Sequence, residues 1–426
     1  MAAPRTLRDY LDWVIVTPAV PLAAYFCLYT MLGQLAPYLA VPHPAYWILG
    51  YLGVCVAWRF WHEGAYAHPI DLVLLAFVGV ILASWAATGY AGAARTLPLL
   101  AASMLIPWIA VRSFGEDDVR RFLMYVGGFG AAICAAYLLA IPLLEMSGNV
   151  WERVTFAGGS AYGIIGPTVG ILAVMSGSYL LHEDSRTALV TLFVAVLVMV
   201  HMGARGMFVS MFLAFAVLSL MVRSERRRKA RVWLVVACAS LLASTIIPQA
   251  RLHHFLRLGM DLEAADRSVN DTIAERLEQF REALQLFLAH PWTGVGAGRF
   301  GLETGIGEPL TTPHSTLFHV ISELGLAGAV PFAIFNFILL ALVWRARTAT
   351  LPCVVAAIWI YFAFYDQISA NYLTSLRYYL FSGLLVTASL AHRIGAPIRQ
   401  SAARSAARKH GAHPARSGPT RPESSA

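Results

Sequence analysis

Long apolar segments dominate this sequence and determine its fold class. A helix needs about 20 mostly apolar residues to cross a bilayer, and twelve segments of roughly that kind lie at 12–33, 44–61, 69–88, 96–112, 120–144, 160–181, 187–203, 206–222, 231–248, 325–344, 350–366 and 373–392. Hydrophobic residues make up 58% of the 426 and charged residues only 13%, which is too apolar for a soluble enzyme. The sequence therefore predicts an all-α polytopic membrane protein with about twelve spans.

The distribution of basic residues predicts the orientation of the chain. Cytoplasmic loops retain Lys and Arg, and 22 of the 32 basic residues fall in cytoplasmic segments if both termini lie in the cytoplasm. Six of the others lie in one long loop between spans nine and ten. This loop therefore faces outward, to a periplasm or its equivalent.

The spans divide the chain into four predicted regions. Residues 1–248 hold the first nine spans, residues 249–324 form the outward loop, and residues 325–392 hold the last three spans. The tail, 393–426, is rich in Arg, Ala, Ser, Pro and Gly, a composition typical of disorder. Its charge, like that of the basic run 223–231, is best explained by topology and contact with membrane lipids. No nucleic-acid-binding signature accompanies it.

An amphipathic helix is predicted in the outward loop. Thr272 and Glu275 form a capping box, which predicts the start of a helix, and Pro291 predicts its end. Apolar residues at helical spacing form one stripe, while polar residues occupy the other side. The stripe consists of Leu277, Phe280, Leu284, Phe287 and Leu288, and the polar side of Glu275, Glu278, Gln279 and Glu282. Arg276 and Arg281 flank the stripe on opposite edges, so one of them can point into a cavity beneath the helix.

A glycine-rich turn follows this helix in the sequence GVGAGRF. Its glycines alternate with other residues from Gly294 onward, and the backbone N–H groups of Gly294 and Gly296 could form an anion-binding concavity. The spacing does not fit a dinucleotide-binding fingerprint. Arg299 at the end of the turn is a further candidate contact for an anionic substrate.

A histidine begins the next predicted helix. Spacing from Leu317 places His314 on the buried face, at a helix N-terminus that disfavours its cationic form. A neutral histidine there can accept a proton. In contrast, His319 and Glu323 are four residues apart on the other face and are interpreted as a surface pair.

Arg205 lies at the outward membrane edge, between two spans joined by a very short loop. An arginine beside apolar helices is costly unless it pairs or faces a wet cavity, so Arg205 is a candidate anion ligand. No metal site is predicted, because the early acidic cluster 116–118 lies on the cytoplasmic side and the outward acids lack paired spacing. No cofactor is expected, and the five cysteines share no metal or disulfide spacing.

These residues together resemble the O-antigen ligase and O-antigen polymerase superfamily. The resemblance is carried by Arg205 in GARG, by Arg276 before PWTGVGAGRF, and by His314 before ELGLAG. The long outward loop between two late spans also agrees. One departure is Ser315, where many relatives carry Asn after the histidine.

The resemblance implies a GT-C-like glycosyltransferase in a bacterial inner membrane. The donor would be an O-antigen linked to undecaprenyl pyrophosphate, and the acceptor a sugar of the lipid A core at the periplasmic face. Arg205 and Arg276 would bind the pyrophosphate through charge-assisted hydrogen bonds, and His314 would act as general base. Arg281, Arg299 and Arg377 would be secondary substrate contacts. Inversion at the anomeric carbon and independence from metal are expected.

Other functions remain open at this level. An O-antigen polymerase would use the same donor with a second lipid-linked glycan as acceptor, and another type of member would glycosylate a protein. A transporter with Arg205, Asp366 and Arg377 along its path is a further alternative. The concentration of polar residues in one outward loop argues against transport, as does the lack of a clear internal repeat. A scaffold without catalytic activity is also possible.

Overall fold

The protein is described by a computed structural model. The structure describes residues 18–27, 44–63, 68–89, 93–146, 155–156, 159–160, 166–202, 205–221, 236, 269–305, 312–369, 372–373 and 375–391. The predicted span 231–248 and the tail lie almost wholly outside these residues. So do the basic run 223–231 and the first part of the outward loop.

The regular secondary structure of the described residues is helical apart from one short antiparallel pair of strands, β1 (Thr155–Phe156) with β2 (Gly159–Ser160). The helices are α1 (19–27), α2 (Pro44–Glu63), α3 (Pro69–Thr88), α4 (Ala93–Leu100), α5 (Ile106–Arg112), α6 (Glu116–Met146), α7 (Gly166–His182), α8 (Arg186–His201), α9 (Arg205–Met221), α10 (Val269–Ala289), α11 (Phe300–Glu303), α12 (Thr316–Ala346), α13 (Thr350–Ser369) and α14 (Leu376–Ala391). A turn of π-helix, Ala101–Leu105, joins α4 to α5.

Within the described residues, four helices are long and apolar enough to cross a membrane, which agrees with a polytopic membrane protein. They are Pro69–Thr88, Glu116–Leu139, Thr316–Ala346 and Thr350–Ile368. Five further apolar helices have 17 residues or fewer. The total of twelve spans therefore stays a prediction.

Helix α13 is the most buried of the four long apolar helices. It packs against α7, α9 and α12, and its large side chains Trp359, Tyr361 and Phe362 are almost completely buried. A helix that is covered on most sides can hold the ends of its neighbours in fixed positions. The C-terminal end of α13 is therefore a natural meeting point for residues from several helices.

Helix α12 is interrupted at Gly325. Gly325 has φ 57° and ψ −153°, a conformation that is accessible mainly to glycine. The interruption separates a short segment, 316–324, from the long apolar segment that follows it. Such a break leaves backbone N–H and C=O groups without partners inside the helix.

Helix α3 connects the two ends of the bundle. Near its N-terminus, Asp71 accepts hydrogen bonds from the indole of Trp108, at 2.8 Å, and from Nε of Arg112, at 3.2 Å. The Arg112 guanidinium also donates to Thr387. These contacts fix α3 against α5 and α14, so that its other end is placed reproducibly beside the glycine-rich turn.

Candidate active site

The glycine-rich turn satisfies the helix break at Gly325. The N–H groups of Val295 and Gly296 donate to the carbonyls of Ser322 and Glu323, at 3.0 and 2.9 Å. In return, the N–H groups of Leu326 and Ala327 donate to the carbonyls of Pro291 and Trp292, at 2.8 and 2.9 Å. We call residues 291–300 with 322–327 the glycine junction. Its four hydrogen bonds supply the partners that the interrupted helix lacks.

Close backbone packing explains two of the glycines. A Cβ on Gly294 would lie 2.2 Å from the carbonyl carbon of Glu323, and a Cβ on Gly325 would lie 2.6 Å from the nitrogen of Gly294. Both glycines also have positive φ, 63° and 57°. Only glycine fits at these two positions.

The carboxylate of Glu323 holds the end of the turn. It accepts hydrogen bonds from the N–H groups of Gly298 at 2.7 Å and Phe300 at 2.9 Å, and from the hydroxyl of Tyr372 at 2.9 Å. Nε2 of His319 lies 3.1 Å from the same carboxylate. The predicted surface pair of His319 and Glu323 is therefore wrong, because both side chains are 0% exposed. A pattern of i and i+4 charges cannot show which protein segment covers that face.

The predicted anion site on the turn is also wrong. The N–H of Gly294 donates to His290, that of Ala297 to the hydroxyl of Ser84, and that of Gly296 to Glu323. The backbone N–H groups that an external anion would need therefore already donate to the protein itself, to carbonyls, to the Ser84 hydroxyl and to the Glu323 carboxylate. Gly294 and Gly296 shape the turn, and their N–H groups already donate to carbonyls of the protein.

His314 is exposed at the rim of the structure and is not on a buried helix face. It precedes α12, whose N-cap is Ser315, and it adopts φ 53°, a conformation unusual for a residue other than glycine. Its N–H donates to the hydroxyl of Thr312, at 3.1 Å. The predicted burial fails because Leu317, used to set the helix phase, is itself 50% exposed.

Arg276 lies close enough to His314 to affect its protonation. Partial burial lowers the pKa of His314 from its ordinary value of 6.5, the positive charge of Arg276 lowers it further, and Glu275 raises it. The histidine is therefore mainly neutral at neutral pH. The structure thus brings together two candidate site residues that are 38 positions apart in the sequence.

Helix α10 presents a different face from the one predicted. It begins at Val269, so Thr272 lies inside the helix and does not cap it. Its buried side contains Ala283 and Gln279, although Gln279 was assigned to the polar face. Phe280 stacks on Phe318 of α12, with ring centroids 4.8 Å apart. Three leucines of the predicted stripe are exposed instead.

The C-terminal end of α13 supports the start of α12. The side-chain carbonyl of Gln367 accepts hydrogen bonds from the hydroxyl of Ser315, at 3.2 Å, and from the N–H of Leu317, at 3.1 Å. Thr316 donates to the carbonyl of Asp366, at 3.0 Å. Gln367 therefore holds the residue that follows His314, which is the position where many relatives have Asn.

Arg205 begins α9 on the same side of the molecule. The next residue, Gly206, faces Ile368, since a Cβ there would lie 3.0 Å from the Cδ1 of Ile368. Ile368 directly follows Gln367, which contacts Ser315. The backbone of Arg205 and the backbone of His314 thus both adjoin the end of α13.

Asp366 is a buried polar residue at the C-terminal end of α13. The sequence pattern suggested a role for it only in the transporter alternative. It is 2% exposed, it accepts a hydrogen bond from Ser375, and Arg377 interacts with it electrostatically. An acid inside an apolar span is a sequence signal of function, and this signal was available. Arg377 therefore lies near the site, beside a buried carboxylate.

Arg281 and Arg299, the secondary candidates for substrate contact, each lie beside an acidic side chain. The side chain of Arg281 is 70% exposed, and its guanidinium lies 4.0 Å from the carboxylate of Glu278. Arg299 pairs with Glu303 at 2.7 Å. Within the described part of the chain, no group of three or more His, Cys, Asp or Glu is placed to hold a metal ion.

A family comparison covers the same residues. Residues 190–333 match the family model described as O-antigen ligase. The resemblance to the O-antigen ligase family is confirmed over this stretch. The ligase match runs from α8 into α12 and includes Arg205, Arg276, His314 and the whole glycine junction, whereas Asp366 and Arg377 lie beyond it. None of the curated proteins compared with the chain matches it significantly.

The ligase match supports a general function of O-antigen ligase or polymerase type. Together with the apolar helices it supports a multi-pass membrane protein that takes part in lipopolysaccharide biosynthesis. A glycosyltransferase-like activity on a lipid-linked polysaccharide follows from the family in general. The geometry adds that a neutral histidine and an arginine stand together at an exposed rim.

Proposed function

We propose that this protein is an O-antigen ligase of the bacterial inner membrane. It transfers O-antigen polysaccharide from undecaprenyl pyrophosphate to a sugar of the lipid A core at the periplasmic face. The observation that carries the proposal is the proximity of Arg276 to His314, whose pKa it lowers. In addition, the residue after His314 and the start of α9 both contact the end of α13. Arg276, His314 and the start of α9 all lie inside the family match.

His314 acts as the general base in this proposal. Its imidazole takes the proton from the acceptor hydroxyl, the oxygen attacks the anomeric carbon, and the bond from that carbon to the pyrophosphate oxygen breaks. Undecaprenyl pyrophosphate leaves with the bonding electrons, and the anomeric configuration inverts. A positioned base contributes about 10²- to 10⁴-fold to such a step, and the lowered pKa of His314 keeps it neutral.

Arg276 and Arg205 bind the pyrophosphate. Guanidinium groups bind phosphate oxygens through charge-assisted hydrogen bonds, often two at a time. Arg276 has a second effect, because its charge favours the neutral form of His314. Arg205 starts a helix whose first backbone N–H groups add to the attraction for an anion. Arg377 is held near the site as a further contact.

Catalysis without a metal ion is part of the proposal. The two arginines would supply the positive charge that a divalent cation supplies elsewhere. Purified protein in lipid should retain its activity in a chelator such as EDTA. Loss of activity in EDTA that returns with Mg²⁺ or Mn²⁺ would contradict this part of the proposal.

A deletion strain distinguishes ligase from polymerase. We expect its lipopolysaccharide to show bare core on a gel, while full-length polymer accumulates on the lipid carrier. Core that bears a single repeat would instead identify a polymerase, and an unchanged gel would contradict both functions. Complementation with His314→Asn should fail under the ligase proposal, whereas complementation with His290→Ala, a change at an exposed histidine of the same region, should succeed.

A further inference from the structure

Helix α10 has three distinct faces. One face is packed against α12 and contains the buried Gln279 and Ala283, with Phe280 at its edge. A second face is exposed and acidic, with Glu275 and Glu278. The third face is exposed and apolar, and it lies between the other two.

Three leucines form the exposed apolar face. Leu277, Leu284 and Leu288 are 60%, 44% and 67% exposed. Their positions, i, i+7 and i+11, fall on one side of an α-helix. We call these three residues the leucine stripe. A single exposed leucine needs no explanation, but an aligned set on one helix marks an interaction surface.

Exposed apolar side chains continue beyond the leucine stripe, first at Trp292 and then along α12. Just beyond α10, Trp292 is 73% exposed, while its carbonyl accepts a hydrogen bond from Ala327 of α12. From that point α12 carries its own row of exposed apolar side chains. These are Leu326, Val330, Ile334, Phe337, Leu340 and Trp344. A candidate membrane span exposes such residues to lipid tails.

Charge and aromatic placement favour a lipid surface as the partner of the stripe. Arg281 lies on the same side of α10 as the leucines and is largely exposed, which suits an arginine that reaches lipid phosphates while its stem lies on apolar surface. Trp292 is of the type enriched at membrane interfaces. The acidic face on the other flank of the helix suits water.

We propose that α10 is an interfacial helix that lies on the membrane surface, with the leucine stripe and Trp292 inserted among the lipids. Its acidic face points to the aqueous side. The buried face still holds α12, so the helix joins the aqueous catalytic rim to the bilayer. The inference concerns location and does not depend on the transferred sugar. If the ligase function also holds, the arrangement places Arg276 near the depth of a lipid pyrophosphate.

Site-directed spin labelling in lipid nanodiscs tests this location. Full-length protein carries a nitroxide on Leu284→Cys or Leu288→Cys, with Glu278→Cys and Gln285→Cys as matched controls on the exposed polar side. The described native cysteines, Cys27, Cys55, Cys134 and Cys353, are buried, and the unsubstituted protein gives their labelling background. Collisions with oxygen report lipid, and collisions with a nickel chelate report water.

We expect labels at 284 and 288 to be accessible to oxygen and protected from the nickel chelate, at a depth of about 5–10 Å below the phosphates. The two control labels should show the opposite preference. Equal exposure of all four labels to the nickel chelate would overturn the proposal. Protection of 284 and 288 from both reagents would also overturn it, since this would show that protein, such as a second copy, covers the stripe. Each labelled protein should elute as the unsubstituted protein does on size exclusion, which confirms that the reading comes from folded protein.

Discussion

The glycine junction and the rim at His314 are adjacent along α12 but use their polar groups in opposite ways. At the junction, the carboxylate of Glu323 is fully buried and every contact it makes is internal. At the rim, His314 is exposed and has an unusual backbone conformation, and its pKa is lowered first by partial burial and then by the charge of the neighbouring Arg276. The junction is therefore a structural element, whereas the rim can meet a substrate.

This contrast changes what the sequence motif means. Alternating glycines beside an arginine suggested an anion-binding turn, yet the turn satisfies an interrupted helix and leaves those N–H groups occupied. Both parts lie within the same family match. Membership of a motif does not by itself separate residues that build a site from residues that act in it.

The largest effect is expected from Gly294→Ala. The new Cβ would meet the backbone of Glu323 at 2.2 Å, and backbone cannot move aside as a flexible side chain can. We expect a loss of more than about 3 kcal/mol in the free energy of unfolding, or no folded protein. Thermal unfolding in nanodiscs measures it. The matched control is Gly305→Ala, because Gly305 also has a positive φ, 76°, but no atom lies within 4 Å of the new Cβ. This change should cost only about 1–2 kcal/mol. Equal losses at the two positions would show that close packing at the junction is unimportant.

His314→Asn should remove catalysis and leave stability nearly unchanged. Asparagine tolerates the positive φ of this position but cannot act as a base, so kcat should fall by about 10²- to 10⁴-fold. Because His314 is exposed, the free energy of unfolding should change by less than about 0.5 kcal/mol. A transfer assay with purified donor and acceptor, run beside a thermal unfolding scan, measures both. Retained activity, or a large loss of stability, would contradict the division between rim and junction.

Glu323→Gln should show the reverse pattern. A carboxamide puts an NH₂ group where one carboxylate oxygen now accepts hydrogen bonds, so at least one buried donor loses its partner. We expect a cost of about 1–3 kcal/mol in stability, with transfer activity per folded molecule largely kept. Glu303→Gln, at a partly exposed acid that pairs with Arg299, should change stability by less than about 1 kcal/mol. A kcat lost without any loss of stability would assign Glu323 to the chemistry.

The smallest expected effect is a shift in the pH dependence of activity, and it tests whether His314 at the rim is the base. A base must be deprotonated, so activity should fall as pH drops through the pKa of His314, which lies below its ordinary value of 6.5. Glu275→Gln removes a charge that raises this pKa, so the acid limb of kcat/KM should move to lower pH. Arg276→Gln removes a charge that lowers it, so the limb should move to higher pH, together with weaker donor binding. An acid limb that moves in neither variant would show that another group titrates.

The sequence predicted the helices and their apolar character more successfully than the faces they present. The predicted span 69–88 coincides with α3, and the predicted spans 187–203, 206–222 and 350–366 each correspond to a described helix. Apolar content over about 20 residues is a local property, so it can be read from the chain directly. The candidates His314, Arg276 and Arg205 were also named from the sequence. The structure brings Arg276 close to His314, and the roles of all three residues stay a proposal.

Which face of a helix is buried depends on its tertiary contacts, and the periodicity of the sequence does not reveal those contacts. Gln279 is buried and Leu288 is exposed, the opposite of a simple soluble helix. The buried side of α10 is the one that packs against α12, and we propose that its leucine stripe meets lipid. Gln367 was not a sequence candidate, because it belongs to no recognisable motif. Only the structure shows its two hydrogen bonds to the start of α12.

The sequence by itself determined that this protein is helical, apolar and similar to O-antigen ligases over residues 190–333, because hydropathy and short motifs are local features of the chain. Only the tertiary structure decided that Glu323 binds the glycine-rich turn and that Arg276 acts on His314. Glu323 and the glycine-rich turn belong to different segments of the chain, as do Arg276 and His314. Their contacts therefore depend on which surfaces pack together. That packing is set by the whole bundle, above all by the buried helix α13, and no short stretch of sequence records it.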